Sequence, residues 1–301
     1  MWVGLVALAA VAGAWWRVRL MRVMSARTML RRRLGPDGIV VGGESFTLER
    51  PSAPAVLLLH GGGDTPQTMR HLANELYARG FHVSAPLLPG HGRTLRDFAR
   101  VTADDLTAAA LSSYAALRSA HDWVAVIGLS MGGALAAQIA ADNSELPALG
   151  LVAPYLSMPR RIEWAARLAP LWGIVAPAVS AGDDLSIRDP NERERGLAYG
   201  VFTAAGLIAL RQTMRRGVAS LPRISAPTLM MQSREDNRVS AVGAERALAL
   251  LGSREKTLEW VDGAGHIITV DFGRDVVNTR LAAFMEAHMR AASPHRSPVR
   301  S

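Results

Sequence analysis

The chain has 301 residues, 49% hydrophobic, 20% charged and 6% aromatic, an ordinary globular composition that excludes disorder and fibre. It contains no cysteine, which excludes disulfides, Cys-ligated metals and a thiol nucleophile, so any covalent chemistry falls to another side chain. The net charge of +8 gathers at the ends, with Arg17, Arg19, Arg22, Arg27, Arg31, Arg32 and Arg33 near the start and Arg290, Arg296 and Arg300 at the finish, so the body is not basic and no nucleic-acid partner is expected.

Residues 1–16 are apolar or small, and Arg17 ends the run. A signal peptide carries its charge before the apolar stretch, and here the order is reversed. Sixteen residues fall just short of a bilayer span, so the expectation is an anchor or interfacial helix over 1–36 that associates with the membrane and holds the rest of the chain at its cytoplasmic face. Trp15 and Trp16 beside the arginines fit an interfacial belt. The alternative is a start at Met21, Met24 or Met29, which makes the protein cytosolic and the segment non-native.

From residue 37 strands alternate with helices. Residues 38–41 and 45–48, split by Gly42 and Gly43, suggest a hairpin. Continuous apolar runs at 55–59, 81–85, 123–128, 148–152, 228–232 and 257–261 read as buried parallel strands. Leu106, Ala110, Tyr114 and Leu117 share a helical face behind Thr102, with Asp105 completing a capping box, and Val277, Leu281 and Phe284 mark a last helix. The pattern predicts an α/β fold, a mostly parallel central sheet with helices on both faces. Its core covers 37–153 and 218–290, and a disordered tail covers 291–301. Residues 154–217 lack strand-like runs and read as helices, 161–168 and 194–214 among them, broken by prolines. Placed after a sheet strand, they form either a cap over a site or more packed shell, and the cap is preferred.

Gly128-Leu129-Ser130-Met131-Gly132 follows the 123–128 strand and opens a small-residue helix, the context in which G-x-S-x-G is a nucleophile turn. Ser130 would be the nucleophile, with the Met131 N–H at the helix start aimed at a developing oxyanion. A hydroxyl needs a base, and His266 lies in a glycine-rich loop after the last strand. His60 and His91 sit in glycine turns and are expected to brace loops. The acid that orients the histidine falls after strand 228–232, where spacing leaves Glu235 and Asp236 both open. A second oxyanion donor is expected in His60-Gly61-Gly62-Gly63-Asp64.

Together with Leu88-Pro89-Gly90-His91-Gly92 and Gly265-His266 followed by Asp271, these motifs resemble the α/β-hydrolase superfamily, most of all its small carboxylesterase and monoacylglycerol lipase branch. The resemblance runs from about 38 to 290. It implies Asp236 as the acid, the N–H groups of Gly62 and Met131 as oxyanion donors, and a cap that supplies an acyl pocket. The branch usually has a bulky apolar residue at the place of Gly62, so the donor among 61–63 stays open, and Gln232-Ser233 stands where His-Gly is commoner. The expected function is cleavage of a small-molecule ester with an apolar acyl chain through an acyl-enzyme, without metal or organic cofactor. An acyltransferase, thioesterase or perhydrolase could use the same residues. A non-catalytic binding protein is the reading of another class, against which the intact Ser130, Asp236 and His266 speak. A chain beginning at Gly38 is expected to keep full activity on a short-chain ester.

Overall fold

The computed structural model describes residues 2–29, 32–176, 178–181 and 184–292. The strands are β1 (Phe46–Leu48), β2 (Ala55–Leu59), β3 (His82–Ala85), β4 (Val124–Leu129), β5 (Leu149–Val152), β6 (Ala178–Ser180), β7 (Val201–Thr203), β8 (Thr228–Ser233) and β9 (Lys256–Val261), and the six apolar runs account for β2–β5, β8 and β9. Seven form one sheet in the order β1-β3-β2-β4-β5-β8-β9, with β1 antiparallel to β3 and the other pairs parallel, while β6 and β7 pair separately.

Between and around them run α1 (Trp2–Met29), α2 (Arg70–Ala78), α3 (Leu95–Phe98), α4 (Ala103–Ala120), α5 (Met131–Asp142), α6 (Arg160–Arg167), α7 (Ala169–Val175), α8 (Pro190–Arg195), α9 (Ala204–Ser220), α10 (Ala241–Leu250) and α11 (Arg274–Ala291). The two-residue period of a strand divides the core between the faces of the sheet. Ala55, Leu57 and Leu59 of β2 pack with α4, α5 and α9, whereas Val56 and Leu58 pack with α2 and α11. Helix α4 starts at the predicted box, Thr102 Oγ1 accepting from the Asp105 N–H and Asp105 from the Thr102 N–H, and it buries Leu106, Ala110, Tyr114 and Leu117. A leucine such as Leu106 stabilises the fold by about 1.5–3 kcal/mol when fully buried.

Two expectations are corrected and a third is narrowed. Residues 38–41 do not form a hairpin with 45–48, because Gly38 and Gly42 take φ of +73° and +89° and the Val40 N–H donates to Gly92 instead. The 154–217 stretch is not wholly helical. It contains the β6–β7 ribbon, and the helix expected over 194–214 breaks where Gly200 turns the chain at φ +69° into β-branched Val201 and Thr203. Helix α9 begins only beyond, with Thr203 as its cap. Finally, no helix among the described residues is long and apolar enough to cross a membrane, Arg17 and Arg19 interrupting α1 too early. Its Met21 and Met24 pack on the core, and Val11, Trp15 and Trp16 are exposed. The expected tail falls, from residue 293, outside the described residues.

Candidate active site

The turn from β4 to α5 is shaped by two glycines that admit no side chain. A Cβ on Gly128 would lie 2.1 Å from the Gly132 oxygen, and one on Gly132 would lie 2.1 Å from the Leu59 oxygen, backbone atoms that cannot swing aside. Between them Ser130 sits at φ +53° and ψ −116°, a strained conformation for an L-residue. It persists because the Ser130 N–H donates to Val152 while its oxygen accepts from Gly133 and Tyr155.

The side chains that the sequence spread over 136 positions converge here. His266 Nε2 lies 2.7 Å from Ser130 Oγ, and His266 Nδ1 lies 2.7 Å from Asp236 Oδ2. Asp236 is thus the acid in contact. Glu235 turns outward to Arg188 at 2.6 Å. Burial pushes the Asp236 carboxyl up, but the facing His266, its hydrogen bond and the Val239 and Arg238 N–H groups bring it below its ordinary range. Ser130 and His266 are both buried, at 6% and 4% exposure, so a proton passed between them stays out of bulk water.

The N–H groups of Gly62 and Met131 have no acceptor among the described residues, and a Cβ on Gly62 would lie 3.5 Å from the Met131 Cβ. Gly62 and Met131 are therefore neighbours, and Met131 directly follows Ser130. His60 and His91 brace loops as expected. His60 Nδ1 donates to the Gly61 oxygen and Nε2 accepts the Leu88 N–H, while His91 Nδ1 donates to the Pro89 oxygen.

Sequence reading gave no role to several residues found here. Gln232 Nε2 donates to Asp236 Oδ2 at 2.6 Å, so the residue that stands where His is commoner supports the acid. Asp64 is buried in the glycine-loop wall, accepts the Thr65 N–H, and is pushed by burial up to about 6. A charge set directly behind a glycine triplet was the available signal. Arg32, one of the basic residues assigned to lipid, lines the same cavity as Ser130 and His266 and donates to the oxygens of Thr28 and Ala198. Nothing in a basic run marks that one. The cavity has a volume of about 670 Å³. Its lining is mixed, with apolar Tyr155, Val201, Phe202 and Leu210 alongside charged Arg32, Asp64, Arg193, Arg195 and Arg238.

Comparison with known proteins gives one consistent answer. Residues 50–272 match the family described as serine aminopeptidase, S33. A thermostable monoacylglycerol lipase of Bacillus sp. strain H-257 is 30% identical over 83% of this chain and 97% of its own length. A carboxylesterase of Bacillus subtilis strain 168 is 25% identical over 77% and 92%. A solved structure from work on the metagenome-derived lipolytic enzymes LipS and LipT superposes with a TM-score of 0.76 at 29% identity, covering 85% of this chain and all of that one. The chain therefore belongs to the serine aminopeptidase S33 family of α/β hydrolases, and it is an ester-cleaving serine hydrolase of the carboxylesterase and monoacylglycerol lipase branch.

Proposed function

We propose that the chain hydrolyses monoesters of medium or long fatty acids, with Ser130 as nucleophile, His266 as general base and acid, Asp236 as the orienting acid, and the Gly62 and Met131 N–H groups as oxyanion donors. The pair of 2.7 Å hydrogen bonds joining Ser130, His266 and Asp236 is the observation that carries this reading. His266 takes the Ser130 proton as Oγ attacks the ester carbonyl, and the two N–H groups receive the charge on the carbonyl oxygen. His266 then returns the proton to the departing alcohol, and water, activated in the same way, frees the acid. Apolar lining residues such as Tyr155, Phe202 and Leu210 suit an acyl chain, and the charged residues that share the cavity suit a polar alcohol.

The exposed Trp15 and Trp16 on a helix rich in arginine support a further element, attachment of α1 to the cytoplasmic face of an anionic membrane in the plane of the interface. Rates on p-nitrophenyl esters from C2 to C16, with and without a competing alcohol, test chain length and separate hydrolysis from acyl transfer. A fluorophosphonate should label Ser130 once per chain, and Ser130→Ala should abolish labelling and lower kcat by roughly 10⁴- to 10⁶-fold. Labelling that survives the substitution refutes the assignment.

A further inference from the structure

The loop that carries His266 is not held by the sheet alone. Asp271 lies five residues beyond His266, fully buried, and its carboxylate accepts four backbone N–H groups. Oδ2 takes Gly265 at 2.6 Å and Arg188 at 2.8 Å, and Oδ1 takes Asp189 and Phe272, both at 2.8 Å. Four donors around one carboxylate match an acceptor-only group. Gly265 immediately precedes His266, whereas Arg188 and Asp189 belong to the 154–217 stretch expected as a cap, whose residues 186, 187 and 193–202 line the cavity. The adjoining cap oxygen of Ser186 accepts the N–H groups of both His266 and Ile267, at 2.9 and 2.8 Å. Gly265 has to be a glycine for this approach, since a Cβ there would stand 2.3 Å from the Leu185 oxygen. On the core side, Ser233 Oγ donates to the Ala264 oxygen at 2.6 Å.

We propose that Asp271 is a positioning residue for the hydrolysis, latching the cap segment 186–189 to the His266 loop so that Nε2 stays within reach of Ser130. The proposal rests on His266 serving as the base. It goes further in making the cap, usually regarded as a substrate cover, one of the two supports of the catalytic histidine. Peptides 265, 266 and 267 each donate either to the Asp271 carboxylate or to the Ser186 oxygen beside it. Loss of the carboxylate frees Gly265 from the cap, and a shift of the imidazole by about 1 Å is enough to cost up to 10²-fold in rate.

The experiment is Asp271→Asn in the full chain, assayed on one short and one long p-nitrophenyl ester. One amide oxygen can still accept two of the four N–H groups, so the variant keeps part of the latch. The expected result is a kcat lowered by about 10- to 100-fold with KM within about threefold on both esters, because the histidine and not the acyl pocket has moved. Fluorophosphonate labelling of Ser130 should slow by the same factor. The downfield proton resonance of the His266–Asp236 hydrogen bond should broaden or vanish while the melting curve stays cooperative. A folded variant with unchanged kcat overturns the proposal, as does a rise in KM alone, which would place Asp271 in substrate binding. Should Asp271→Asn not fold, Gly265→Ala asks the same question with the carboxylate intact. The added methyl drives the Leu185 oxygen off the loop, and kcat should fall with the same labelling defect, whereas an unchanged kcat overturns the latch. Failure of the triad itself would show separately, as wild-type chain that neither labels nor cleaves any ester.

Discussion

Replacing Asp236 by asparagine sets two sets of partners against one another. Oδ1 accepts from the Arg238 and Val239 N–H groups at 2.7 and 3.0 Å, and Oδ2 accepts from His266 and Gln232 at 2.7 and 2.6 Å. Asparagine keeps only one acceptor. Turning its NH₂ toward Arg238 and Val239 would face two fixed backbone donors, and each lost hydrogen bond to a charged group costs about 1.5–3 kcal/mol. The amide therefore keeps its oxygen there and points NH₂ at His266 and Gln232. Gln232 can yield, because its Oε1 is buried without a partner among the described residues, and a flip of its amide offers that oxygen to the new NH₂ at the expense only of the long 3.4 Å bond from Nε2 to the Val239 oxygen. His266 yields only by changing tautomer, so that Nδ1 accepts and Nε2 carries the proton toward Ser130. A base already protonated at Nε2 cannot take the serine proton. The expected loss is about 10⁴-fold in kcat with KM little changed, near 5.5 kcal/mol of transition-state stabilisation, in a protein whose melting temperature barely moves. Initial rates on a p-nitrophenyl ester together with a thermal melt measure both. A loss under tenfold, or an equal loss in Glu235→Gln, refutes the reasoning. Gln232→Leu combined with Asp236→Asn should also lower stability, since the compensating flip is gone.

The remaining expectations concern pH and lipid. The Asp64 carboxyl stands at about 6 in the fold against 3.8 when free, so the stability it contributes is complete below pH 4 and is lost as pH rises through 6. Asp64→Asn should accordingly stabilise the protein by up to about 3 kcal/mol at pH 8 and by nothing at pH 4, measured by urea unfolding, and destabilisation at both pH values counts against it. His60 and His91 behave oppositely, burial lowering them from 6.5 to about 3 and about 4. Their contribution is present above pH 6.5 and is lost as pH falls through those values, so His91→Asn should flatten the acid limb of stability, and an unchanged limb would disprove it. For α1, Trp15→Ala with Trp16→Ala should weaken sedimentation with anionic vesicles roughly tenfold at constant salt. Equal binding by the double variant would leave only charge at work.

The sheet was legible wherever a parallel strand is buried on both faces, since 55–59 and 123–128 are continuous apolar runs that leave little other reading. Ser130 and His266 were legible too, because each sits in a glycine turn straight after such a strand. Asp236 was not separable from Glu235 by spacing, and the difference lies in the Arg238 and Val239 N–H groups that curl back onto it and in the outward pull of Arg188 on Glu235. The cap ribbon was missed because three-residue strands set among prolines give no period to count. Asp271 stood only as part of a motif, two of its four partners lying 82 and 83 residues away at Asp189 and Arg188.

The placement of Arg32 changes how the enzyme's boundaries are drawn. The family match begins at residue 50, yet this side chain lines the cavity from outside it, fixed to the end of α1 at one hand and to the cap at the other. A chain starting at Gly38 would keep Ser130, Asp236 and His266 but lose Arg32 from the lining, so the expected full activity of that truncation becomes a direct test of whether Arg32 matters. Two relatives with identical residues over 50–272 could then differ in substrate choice through their leading arms alone. An alignment confined to the shared domain would give no hint of why.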